Sequence, residues 1–408
     1  MNCRHCSSPL SLSFIDLGKA PPSNAYLSKE DLGKPEKKYP LRVLVCRKCW
    51  LVQTEDFVAV SELFRPDYAY FSSTSKSWLI HAEKYCKHIV SNLRLKTNSF
   101  VVEVACNDGY LLKNFVSLGI PCLGIEPTAS TAEAAEKLGV RVVKKFFTEQ
   151  LAKSVVADKG KADLIIGNNV YAHVPDINDF TRALQTLLKP NGVVTLEFPH
   201  LLKLIKQNQF DTIYHEHFSY LSLHAVKRIF ARAGLRIYQV NKLSTHGGSL
   251  RVYGCLKKSK RPTKRSVYQT LREERTGGLL KETTYKRFQH QVDKTKKDLL
   301  KYLQNCKKKG LLVAAYGAAA KGNTLLNYAG IRRSLIKFVC DAAPQKQGKY
   351  MPGSHIPILS PKVLLSTTPK YVVILPYNIA HEIISELRFK YIKKETKVIV
   401  CIPKITKL

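Results

Sequence analysis

The chain is poor in acids, with 31 Asp and Glu against 66 Lys and Arg, so 408 residues carry a formal charge of +35. Long apolar runs are also missing. The longest stretches, such as Leu311–Ala315, are far too short to cross a bilayer. The opening Met1-Asn2-Cys3-Arg4-His5-Cys6 lacks the apolar core of a secretory signal. Neither membrane insertion nor export is expected. The charge imbalance is densest between Lys257 and Gly310, with 18 Lys and Arg against 5 Asp and Glu. That region lacks the interleaved aromatics of a base-stacking platform, so no nucleic acid is expected there. A solvated helical face accounts for the excess, which would still draw in a diphosphate. No repeat with a period of roughly 20–50 residues is present.

Eleven cysteines are an odd number for a disulfide framework. Cys106, Cys122, Cys255, Cys340 and Cys401 sit in or beside apolar runs, where a free thiol acts as a small hydrophobe. That usage fits a reducing, cytoplasmic compartment. Four others form a pattern: Cys3-x-x-Cys6 and Cys46-x-x-Cys49, with 39 residues between the pairs. Each Cys-x-x-Cys turn puts two thiolates on one side of a tight loop, and two turns complete a tetrahedral S4 zinc site. A redox dithiol usually follows a strand and opens a helix, and neither pair clearly does. The site would be closed and structural, leaving no position for catalysis.

The length suits two or three domains. Residues 1–66 are turn-rich and contain both cysteine pairs. Residues 67–255 alternate short apolar runs with helical segments: strands at Phe100–Val104, Cys122–Glu126, Asp163–Gly167 and Val193–Glu197, and helices at Ala129–Leu138 and Ile177–Leu188, the last stopping at Lys189-Pro190-Asn191-Gly192. This pattern predicts a parallel, doubly wound sheet. Residues 256–309 read as a charged helical linker. Residues 310–408 begin a second α/β unit, with strands at Leu311–Tyr316, Ile336–Cys340, Tyr371–Leu375 and Val398–Ile402. The expected architecture is therefore α/β: a small zinc-binding domain followed by two Rossmann-like domains.

Strand, tight turn and helix together cradle a nucleoside. Here the turn reads Glu103-Val104-Ala105-Cys106-Asn107-Asp108-Gly109-Tyr110, and Glu126, 23 residues after Glu103, ends the second strand, where a carboxylate binds ribose hydroxyls. Ala105 and Asn107 stand where a pyrophosphate-binding loop has glycine, which suits a methyl donor with no phosphate at that point. Asn168 to Val174, including His173, would line the donor and the acceptor. Tyr214-His215-Glu216-His217-Phe218-Ser219-Tyr220 is the densest polar–aromatic segment. Carbon methylation beside a ketone needs a base for the α-proton and donors for the enolate oxygen. A neutral His suits the first role, with a carboxylate to orient it, and Tyr hydroxyls suit the second. A His-Glu-His metal site lacks a nearby third ligand, and packing at a domain boundary is the blander alternative. Tyr68-Ala69-Tyr70-Phe71-Ser72-Ser73 could close over the same cleft.

In the C-terminal unit, Gly317-x-Ala319-x-x-Gly322 follows a strand and opens a helix, and Asp341 ends the next strand 24 residues on. Small residues let a helix N-terminus approach a pyrophosphate, and Lys321 adds counter-charge. Asn323 and Thr324 continue the turn. The loop Lys346–Gly353 could also meet phosphate.

The order of these motifs resembles the sugar C-methyltransferases that act at C3 of dTDP-linked 4-keto-deoxysugars. The similarity covers essentially the whole chain. It rests on the four cysteines, the Glu103–Gly109 turn, the Tyr214–His217 segment and the Gly-Ala-Ala-Ala-Lys-Gly-Asn-Thr turn from Gly317. The resemblance implies an N-terminal zinc domain, a central domain for S-adenosyl-L-methionine and a C-terminal domain that helps hold a dTDP-linked keto sugar. It also implies His217 as the base that removes the C3 proton, with Tyr68, His173, Tyr214 and Glu216 around the sugar. An enolate is then methylated by direct displacement. Ala105 departs from the family's usual glycine. The rival readings are an O- or N-methyltransferase of a sugar or small metabolite, an RNA methyltransferase with a zinc-ribbon grip, and a non-catalytic carrier. A monomer or weak dimer is expected.

Overall fold

The computed structural model describes residues 1–57 and 71–408. Three sheets are present among them. The first is antiparallel and contains Leu12–Ala20, Tyr39–Val45 and Val52–Thr54. Its fourth strand is Ser219–Tyr220, from the middle of the chain, with Val52 opposite Tyr220 and Gln53 opposite Ser219. The polar–aromatic segment is thus stitched into the edge of the cysteine-bearing domain.

The central seven-stranded sheet has a parallel core made of Val101–Val104, Cys122–Ile125, Val142–Val143, Ala162–Asn168 and Leu188–Pro199. Two antiparallel strands, Leu235–Leu243 and Ser249–Leu256, extend one edge. The inner parallel strands are buried on both faces, which explains their unbroken apolar runs. Lys189–Gly192 does more than stop a helix. Leu188 pairs with Ala162 and Val193 with Leu164, so the intervening residues bulge out of one continuous strand. Gly192 is required there, because a Cβ would meet Leu188 Cδ1 at 2.8 Å and the Ala162 carbonyl at 2.9 Å.

The third sheet runs Ile358–Leu359, Val339–Cys340, Val313–Tyr316, Tyr371–Ile374 and Lys397–Val400 in parallel, closed by antiparallel Thr406–Lys407. Strand Val313–Tyr316 leads into the helix Ala320–Tyr328 through the small-residue turn.

Residues 256–309 are helical, mainly Arg265–Thr276 and Glu282–Lys308. The long second helix is amphipathic at helical spacing. Tyr285, Phe288, Val292, Leu299 and Leu303 enter a core shared with Phe14 of the first domain and Val313 of the third. Phe14 stacks on Phe288 at 4.6 Å between centroids. Lys286, Arg287, Lys294, Lys297 and Lys301 occupy its exposed face. Among the described residues, no helix is long and apolar enough to cross a membrane.

Candidate active site

Ser7 and Trp50 have φ of 58° and 61°, and this left-handed step turns the chain back after each cysteine pair. Their amides close the turns onto the carbonyls of Cys3 and Cys46, at 2.9 and 2.8 Å. The four Sγ atoms lie within 4.8 Å of one another, with Cys3–Cys49 at 3.5 Å and Cys6–Cys46 at 3.4 Å. Thiolates at roughly 2.3 Å from a tetrahedral zinc stand roughly 3.8 Å apart, so the set fits the ion. Cys3, Cys46 and Cys49 are buried, and the Cys49 amide and Gln53 Nε2 point at sulfur, supporting thiolate charge. This is the only candidate metal cluster among the described residues.

At the C-terminal end of Val101–Val104 the chain passes through positive φ at Ala105 (57°), Asn107 (50°) and Gly109 (76°). Glu126 braces this loop: its carboxylate accepts from the Asn107 and Thr128 amides, both at 3.0 Å. Burial raises the proton affinity of Glu126, against those bonds. Glu103 lies wholly inside. Burial, with Asp108 and Glu126 nearby, pushes it well above the carboxylate range. Asn107 Oδ1 and Asp108 Oδ2 accept from the Ser72 and Ser73 amides at 2.9 Å, which ties the segment after residue 70 to the loop. Tyr68 and Tyr70 lie outside the described residues. Gly109 packs so closely that a Cβ would stand 3.1 Å from Ala135. Asn168 ends the adjacent strand buried, with neither side-chain polar atom partnered among the described residues. Orphaned polar groups at the carboxyl ends of parallel strands fit a nucleoside-type donor.

The segment Tyr214–His217 is a turn, so His215 and His217 diverge. His215 Nε2 faces the Pro40 carbonyl at 3.2 Å, in the first domain. His217 Nδ1 donates to the Thr212 carbonyl at 2.7 Å, which leaves Nε2 as the acceptor for the Tyr214 hydroxyl at 2.9 Å. Burial, with His173 and Lys321 nearby, holds His217 well below the ordinary imidazole pKa. His173 lies 4.6 Å away between ring centroids, and burial lowers it to about 4. His217 is therefore a neutral imidazole whose lone pair meets the Tyr214 hydroxyl. Thr54 donates its hydroxyl to the His217 carbonyl, and Asn24 Nδ2 donates to Glu216 Oε1 at 2.7 Å. The first domain sets the pose of this segment.

The third domain closes the other side. Thr324 donates to the Ile213 carbonyl at 2.8 Å and Asn323 to the Ser23 carbonyl, so both tie the domains together. Asp341 accepts from the Ala318 and Ala343 amides and braces the small-residue turn. Gly317 has φ of 91° and no room for a Cβ, which would meet Pro376 at 2.4 Å. Lys321, at the start of the helix, lies near enough to weaken proton binding at His217 and His246.

Family models match three successive parts of the chain: a zinc binding domain over residues 3–64, a methyltransferase domain over 78–240 and a C-methyltransferase C-terminal domain over 244–403. The C-methyltransferase NovU of Streptomyces niveus is 34% identical over 401 residues, covering 98% of this chain and 95% of that protein. The chain belongs to this C-methyltransferase family. It is an S-adenosyl-L-methionine-dependent C-methyltransferase with a zinc-binding domain. The ubiquinone biosynthesis O-methyltransferase of Pelagibacter ubique is 27% identical over 97 residues, 24% of this chain and 40% of that protein. A solved structure of magnesium protoporphyrin IX methyltransferase from Synechocystis, with bound S-adenosylmethionine, covers 49% of this chain and 99% of its own, at 14% identity and a TM-score of 0.36.

Two residues near His217 in this C-methyltransferase escaped the sequence reading. His246 adopts φ of 53° before Gly247 and Gly248, and its Nε2 accepts from Asn169 Nδ2 at 3.0 Å. The Thr-His-Gly-Gly run was the available signal, since paired glycines mark a strained turn. Asp211 gave none: an acid in a short turn reads as solvated until the structure shows it 1% exposed.

Proposed function

We propose that the enzyme methylates C3 of a dTDP-linked 4-keto-deoxysugar. The reading is carried by His217, whose Nδ1–H is committed to the Thr212 carbonyl and whose Nε2 is left with its lone pair beside Tyr214 and His173. Methylation of oxygen or nitrogen has less need of such a base, because those atoms already carry lone pairs. The order of motifs over the whole chain favours the same substrate class.

In this mechanism Glu126, Asn107, Asp108 and Asn168 hold the donor, which when bound supplies a methyl group on a cationic sulfur. His217 Nε2 takes the proton from C3. The C–H electrons move into the C3–C4 bond, and the C4 oxygen becomes an enolate. Tyr214, turning from His217, and Lys321 supply hydrogen bonds or charge to that oxygen. C3 then forms its bond to the methyl carbon as the carbon–sulfur bond breaks. The helix N-terminus at Ala320 would face the diphosphate, with Gly317, Asn323, Thr324 and Asp341 shaping the turn.

The deciding experiment is incubation of the enzyme with methyl-labelled donor and a panel of dTDP-keto sugars, followed by NMR of the product. A labelled methyl on C3 supports the reading. A label on oxygen or nitrogen rejects it.

A further inference from the structure

We propose that Asp211 is a positioning residue for the methyl transfer: its buried carboxylate holds Lys321 as a cation facing His217, ready to neutralise the oxyanion that forms when the acceptor loses its proton. This rests on the carbon-acid reading above.

Asp211 sits in the single turn Phe210–Thr212, which packs on the helix Ala320–Tyr328. The Thr324–Ile213 hydrogen bond locks these two elements together. Asp211 is 1% exposed, and neither carboxylate oxygen has a well-formed hydrogen bond among the described residues. The amides of Asp211 and Thr212 only lean toward it. A buried carboxylate without partners is costly and persists where an opposite charge compensates it. Among the described residues, Lys321 is the cation whose charge acts on Asp211.

Lys321 has its own shortfall. Its ammonium carries three donors. One reaches Asn378 Oδ1 at 3.2 Å, and the group lies 5.3 Å from the centroid of the Tyr377 ring. It stands in the first turn of its helix, at the positive end of the dipole, and faces His217 and His246. The helix dipole opposes a positive charge there, and a proton on either imidazole would oppose it too. Burial lowers the proton affinity of Lys321, and Asp211 is the group that restores it. Burial in turn raises Asp211 to about 7, against the pull of Lys321. Tyr377 and Cys401 also face Asp211, and both are neutral.

The step balances without another reagent. His217 accepts the proton, the electron pair passes through the new C–C double bond to oxygen, and Lys321 keeps its protons while its charge offsets the oxyanion. Methyl transfer from the donor returns the oxygen to a carbonyl.

The test compares the unaltered enzyme with Asp211→Asn, Asp211→Ser and Asp211→Glu. Trace acetylation of Lys321 by acetic anhydride is followed across pH by mass spectrometry, with no acceptor present. In the unaltered enzyme Lys321 stays unreactive, hence charged, at pH 7.5. In Asp211→Asn and Asp211→Ser its labelling midpoint falls by a pH unit or more. Their kcat falls 10- to 100-fold with acceptor KM changed less than threefold, and Asp211→Glu recovers most of both. A labelling curve unmoved by Asp211→Asn or Asp211→Ser overturns the proposal whatever happens to kcat. So does a Lys321 that already reacts as a free amine in the unaltered enzyme, a result that needs no folded variant. Because labelling needs no acceptor, a wrong C3 assignment would leave its outcome readable.

Discussion

The Tyr214 hydroxyl donates to Nε2 of His217 at 2.9 Å, while the opposite ring nitrogen donates to the Thr212 carbonyl at 2.7 Å. These two bonds select one tautomer and aim its lone pair at the Tyr214 hydroxyl. An acceptor that displaces the Tyr214 hydroxyl from Nε2 would meet the base and free the phenol to donate elsewhere. On the proposed mechanism, one contact would thus prepare both base and oxyanion donor.

Replacing His217 with Asn keeps a polar side chain but removes the base. Turnover should fall by roughly 10²- to 10⁴-fold. Calorimetric titration should show donor and thymidine nucleotide binding as in the unaltered enzyme. Loss of donor binding as well would make His217 a support of the fold.

Acidification should spare the base for longer than a free imidazole would allow. Burial lowers both His217 and His173, the latter to about 4. Each stays neutral as pH falls through 6.5, so the acid limb of kcat/KM should lie below that value. The unfolded chain takes up these protons from about 6.5 downward and the folded chain does not, so stability should drop between pH 6.5 and about 4. Denaturant titrations at pH 7.5 and 5 check the second effect. An acid limb above 6.5 contradicts the first.

Glu126→Gln should weaken donor binding about tenfold, because a charged acceptor strengthens hydrogen bonds to hydroxyls and amides by about 1.5 kcal/mol or more. The same substitution should loosen the loop at Asn107, visible as faster amide exchange there. Equilibrium dialysis with labelled donor decides it. Unchanged affinity dismisses the ribose role.

Cys46→Ser should abolish zinc content, read by atomic absorption. By sequence alone the expected cost is solubility before chemistry. The pairing of Val52–Thr54 with Ser219–Tyr220 joins the two effects, since the metal domain carries the strand that follows His217. Activity and solubility should therefore decline together. A folded, active, zinc-free variant would remove the metal from the account.

Patterns that act over a few residues were legible in the chain itself. The cysteine spacing announced a tetrahedral site, the alternation of apolar runs and helices announced two α/β units, and the crowded segment around His217 marked where the three domains meet. Local covalent geometry and hydrophobic period determine these, and both are written in consecutive residues. Only the tertiary structure decided that Ser219–Tyr220 joins the first sheet, that His215 and His217 face different partners, and that the Asp211 turn packs on the helix that carries Lys321. Most of those relations join residues more than a hundred positions apart. They depend on how three cores pack together, and no local period encodes that packing.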